Sequence, residues 1–196
     1  MSTKMTDDQI NLLGNLFREE LRECRGDFDQ KHVRLAIGHH RLGPELLSVF
    51  SNRVQLISDM IVRHVKVDRA RSYQALLDAT GRKQHVRDKS LLETIPPGHG
   101  EEVDVFFFPT RRSLNEDEVR KELDFFKLRP DFAAQAQVNI DDPAFADEYP
   151  NGYRWRTVDG KRCFAAYSCS GERYVSIDSI VDDGGKDFWW YGGVPK

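Results

Sequence analysis

The chain has 196 residues, 39% of them hydrophobic and 31% charged, and a formal net charge of −3. That length fits one ordinary domain or two small ones and buries a core without metals or disulfides, and so near a charge balance excludes a whole-molecule field that draws in nucleic acid or membrane. Cys24, Cys163 and Cys169 lack any C-x-x-C pair and read as free thiols of a reducing compartment. With no signal-peptide layout and no apolar run near the roughly 18–20 residues that cross a bilayer, the expectation is a soluble, cytoplasmic protein with no membrane partner.

In chain order, Thr6-Asp7-Asp8-Gln9 is a capping-box pattern that starts a helix, and Ile10, Leu13, Phe17 and Leu21 recur at helical spacing until Gly26. A second periodic run covers Val33 to Leu42, interrupted by Gly38, and a third helix runs from about Pro44 to Ile57 with Leu47, Phe50, Val54 and Ile57 on one stripe. These three predict a helical section over residues 1–58, able to close as a small three-helix bundle.

From Met60 the period changes. MIVRHVKV reads as a strand, Ser72 caps a helix that Gly81 stops, a short helical turn lies near Leu91, and EEVDVFFF reads as a central strand. Ser113-Leu114-Asn115-Glu116 starts a helix ending near Lys127, Asp131 caps another through Val138, and Asp142-Pro143 begins a further turn. Asp159-Gly160, Ser170-Gly171 and Asp183-Gly184-Gly185 then separate YRWRTV, KRCFAAYS, ERYVSIDSIV and DFWWYGG, which predicts a four-stranded antiparallel meander. The predicted class is α+β: the helical section, then a mixed domain over 59–196 ending in a small antiparallel sheet packed by helices.

Residues from about Val65 onward carry LLDATGRKQ, EEVDVFFF, DDPAFADEYPNGYRWRTVDGKRCFAAYS and WWYGG in an order that resembles a group of uncharacterised short bacterial proteins. The resemblance supports a boundary near residue 60 and implies no function. The helical front lies outside it.

No catalytic, metal or cofactor motif is present: GxGxxG, the phosphate loop and the G-x-S-x-G elbow are all missing, and His39 and His40 diverge on a helix. Two binding surfaces compete. In the last strand Phe188 and Trp190 must face one way while Trp189 and Tyr191 face the other, so an aromatic face of Trp155, Tyr174, Trp189 and Tyr191 is a candidate site for an unknown protein partner. The alternative is nucleic acid on the basic stretch 63–89, with Arg69, Arg71, Arg82, Lys83, Arg87 and Lys89 as its residues and GRKQHVRDK as an exposed connection. Self-association between that basic stretch and the acidic DDPAFADE is a further reading. The expected function is a non-catalytic interaction module, with nucleic-acid association second and an enzyme third.

Overall fold

The computed structural model describes residues 4–110, 112, 114–180 and 189–196. The chain divides into two units, Met1–Arg53 and Val54–Lys196. The first holds α1 (Asp7–Glu23), a 3-10 turn (Arg25–Asp27), α2 (Gln30–Gly38) and most of α3 (Leu42–Ser58). Thr6 and Gln9 make the expected reciprocal cap, and Asp29 caps α2 by accepting from the amides of Lys31 and His32. No residue from Lys4 to Ser58 is buried. The three helices therefore enclose no bundle core, because their apolar stripes stay turned to solvent instead of towards one another.

The second unit contains β1 (Ile61–Lys66), α4 (Tyr73–Ala79), β2 (Lys83–Val86), a 3-10 turn (Lys89–Thr94), β3 (Glu102–Pro109), α5 (Glu116–Phe125) and β4 (Leu128–Arg129). It continues with α6 (Phe132–Asp141), α7 (Phe145–Glu148), β5 (Asn151–Arg156), β6 (Arg162–Ser170), β7 (Glu172–Ser179) and β8 (Trp190–Pro195). All the strands belong to one mixed sheet of order β1-β3-β8-β5-β6-β7-β2, with β4 pairing β8 off this path. The α+β class and the helix-first order hold.

The meander is smaller than expected and the sheet larger. β5, β6 and β7 do form antiparallel hairpin neighbours, with Gly160 and Gly171 at φ of 84° and 79° supplying the left-handed turn positions. β8 does not extend that meander beside β7. It returns across the sheet to lie antiparallel to β3 and parallel to β5. The third predicted turn, Asp183-Gly184-Gly185, falls outside the described residues, as does Phe188.

Strand alternation splits the sheet into two faces. On the inner face, Val65, Val105, Phe107, Tyr153, Trp155, Tyr167, Val175 and Ile177 form the main core with α4, α6, α7 and the second 3-10 turn. On the outer face, α5 and β4 cover β3 and β8, through Phe108, Leu114, Val119, Leu123, Leu128 and Tyr191, and the first turn of α5 reaches β5 through Glu116 and Asp117 against Arg156. That leaves the other outward positions of β5, β6, β7 and β2 without a packed helix among the described residues of this unit.

Candidate functional site

The six basic candidates disperse. Arg69 is a structural anchor: Nη1 and Nη2 each donate to an Asp131 carboxylate oxygen at 2.8 Å, while Nε and Nη2 donate to the carbonyls of Gly100 and His99. Arg82, expected in an exposed connection, is buried, with Nη1 and Nη2 donating to the carbonyls of Ser168 and Pro143 at 3.1 and 2.7 Å. Burial pulls its guanidinium below the usual value while the Asp147 carboxylate, 3.6 Å away, opposes the shift. Arg71 lies 3.8 Å from Asp68, Lys83 pairs with Glu172 at 2.6 Å and Arg87 with Asp178 at 3.0 Å. Lys89 is exposed at the head of the second 3-10 turn. GRKQHVRDK is not a loop; its middle is the edge strand β2, paired in parallel with β7.

The four aromatic candidates divide by burial. Trp155 is 4% exposed, and its indole N–H donates to Thr94 Oγ1 at 3.0 Å, so it belongs to the main core. Tyr191 is 6% exposed under α5, its ring 5.5 Å from the Arg154 guanidinium. Tyr174 and Trp189 are only half-buried. The alternation in DFWWYGG holds for its described part: Trp190 packs towards the main core beside Tyr149, while Trp189 and Tyr191 join the α5 side.

The structure assembles a site at the outward positions of β2 and β5 to β7 from residues of both candidate sets and from others that neither contained. Tyr153, Trp155, Cys163, Ala165, Tyr167, Val175 and Ile177 face the core, so Arg154, Arg156, Arg162, Phe164, Ser168, Tyr174, Ser176 and Asp178 face out. Register brings Phe164 opposite Asp178, Ser168 opposite Tyr174, and His85 opposite Ser176. An open groove of about 510 Å³ runs here, with His85, Arg87, Phe164, Ser176 and Asp178 among its walls. The His85 and Tyr174 rings meet edge to face at 5.7 Å. Arg154, Arg162 and Phe164 escape a reading based on charge runs, since their signal is alternation within strands whose register the sequence leaves open.

A second surface lies in the first unit. Fourteen large apolar side chains from Met5 to Val49 are each more than a third exposed, among them Leu12, Leu16, Phe17, Leu35, Ile37 and Leu47.

Among the described residues no group of His, Cys, Asp or Glu is placed to hold a metal. The three cysteines are unpaired, and burial pushes the Cys163 thiol up, away from thiolate reactivity. No described helix is long and apolar enough to cross a membrane. Comparison with known protein families, with curated proteins and with solved structures finds no match.

Proposed function

We propose that this protein is a non-catalytic interaction module of a reducing, cytoplasmic compartment, and that its helical section joins it to a second copy of the same chain. The observation carrying this is the exposed apolar surface of α1, α2 and α3, at the upper end of what a soluble monomer ordinarily leaves to water. Isolated helices of this length are marginal without tertiary packing, so a partner surface is what makes them stable.

A second copy fits in charge and in area. Residues 1–53 carry eight Lys or Arg and eight Asp or Glu, and a segment of zero formal charge meets its own copy without net repulsion. Fourteen half-exposed apolar side chains, at roughly 60–120 Å² per fully buried chain, supply on the order of 600 Å² per protomer, close to the roughly 800 Å² of a standard interface. The original aromatic candidates fit less well, since two of the four are core.

Sedimentation velocity of the whole chain over two decades of concentration tests this. A dimer or higher assembly is expected, and Leu13→Asp with Phe17→Asp should return it to the monomer without changing the melting of the α/β unit. A wild-type protein that stays monomeric throughout would overturn the proposal.

A further inference from the structure

We propose that the outer face of β5, β6, β7 and β2, over which no helix lies among the described residues of its unit, binds single-stranded nucleic acid, bases on its aromatic rings and phosphates on its flanking cations. This does not depend on the helical section. It also differs from the basic-stretch reading, because Arg69 and Arg82 are spent inside the fold and only Lys83 and Arg87 carry over.

The first argument is charge. The outward positions of the four strands present Lys83, Arg87, Arg154, Arg156 and Arg162 against Glu172 and Asp178. Lys83 pairs with Glu172, Arg87 with Asp178, and Arg156 with Glu116 and Asp117 of α5, yet five cations against these four carboxylates leave the local balance positive on a molecule whose net charge is negative. Phosphate neutralisation needs that local excess.

The second argument is shape. Half-buried Phe164 and Tyr174 stand on adjacent strands; Phe164 lies opposite Asp178, four residues from Tyr174, so the rings are about 13 Å apart along the strands. Trp189 extends the row on the far side, its ring 3.7 Å from where a Cβ on Gly152 would stand. Rings with one face held and one free are the platform on which unpaired bases stack, whatever their sequence. A duplex, whose bases are already stacked, cannot use them.

The third is unmet hydrogen-bonding capacity. The Ser168 hydroxyl and Arg154 Nη1 both lack a hydrogen-bond partner among the described residues although the atoms are buried, and both belong to this outward side. Buried polar atoms of this kind are ordinarily satisfied. A sugar or phosphate oxygen supplies what each lacks.

The test is fluorescence anisotropy of the whole protein with labelled RNA and DNA single strands of about twelve nucleotides, a matched duplex and polyglutamate as competitor, at about 50 and 200 mM salt. Binding to one or both single strands is expected, stronger than to duplex. Phe164→Ala should weaken it roughly tenfold, the order of one lost stacking contact. Arg87→Ala with Arg154→Ala should flatten the slope of log K against log salt by about 1.4, two phosphates' worth for a single strand. If Phe164→Ala loses its melting transition, Phe164→Leu keeps the apolar volume, removes the ring and should show the same loss. No binding of either single strand at the lower salt overturns the proposal, as does equal affinity for duplex, displacement by polyglutamate as effective as by unlabelled strand, or a folded Phe164 variant that binds like the wild type.

Discussion

Asp131 serves two structures with one carboxylate. It caps α6 by accepting from the Ala134 amide and receives both guanidinium nitrogens of Arg69, with its own side chain only 1% exposed. Removing the arginine strands a buried charge, so Arg69→Met should destabilise by about 3–5 kcal/mol in urea denaturation, and a double change with Asp131→Asn by less than the two singles added. Tyr153 and Tyr167 make the opposite kind of residue-scale statement, since burial raises both phenols above their ordinary value. Above about pH 10 the unfolded rings lose protons that the folded rings keep, so the unfolded state binds fewer and stability falls as pH rises. The contribution is intact below that pH and declines by roughly 1.4 kcal/mol per pH unit for each ring above it. Urea midpoints stepped through alkaline pH check this, and replacing both tyrosines with phenylalanine should flatten the decline. The Tyr167 hydroxyl has no hydrogen-bond partner among the described residues, so Tyr167→Phe alone should cost nothing at neutral pH.

At the scale of elements, β8 is the most constrained strand, because both its sides are packed. A Cβ on Gly192 would come to 2.8 Å from the Phe107 ring, and one on Gly193 to 2.7 Å from a Leu123 methyl. Either glycine changed to alanine should cost about 1–3 kcal/mol through overpacking, measured as a lower urea midpoint, more than the roughly 1 kcal/mol expected for Asn115→Ala, which removes only the α5 cap. The helices were legible because their signals are local: Thr6 with Gln9 and Asp131 cap where their side chains predict, whereas the box read as Ser113 with Glu116 is formed two residues later, by Asn115 with Glu118, Ser113 itself lying outside the described residues. β2 was not legible, since Lys83-Gln84-His85-Val86 is a short edge strand with one apolar residue, and its identity comes from a pairing with β7. β4, two residues long, is likewise defined by β8. The candidate face shared that fate: strand alternation separated Trp189 from Trp190, yet which side of β5 and β6 met helices depended on where β8 inserted. Trp155 is therefore core although its sequence context does not show it, and Phe164 and Arg154 face outward with no local signal that marks them.

For the whole molecule, protection should follow burial. Amides of α1, α2 and α3, which bury nothing in the single chain, should exchange hydrogen far faster than those of β6, whose inward residues are enclosed. The gap should narrow as protein concentration rises if the helical section is where copies meet; exchange independent of concentration would count against that. The position of β8 has a consequence for folding. It comes last of the strands in chain order, yet it lies between β3 and β5 and is what joins β1 and β3 to β5, β6, β7 and β2. Until β8 is in place, two half-sheets can exist only with the edges of β3 and β5 bare, the kind of surface that invites pairing with another chain. Folding is thus most exposed to aggregation before β8 inserts, and a chain cut short of Trp190 would be left with two fragments of a sheet on one polypeptide.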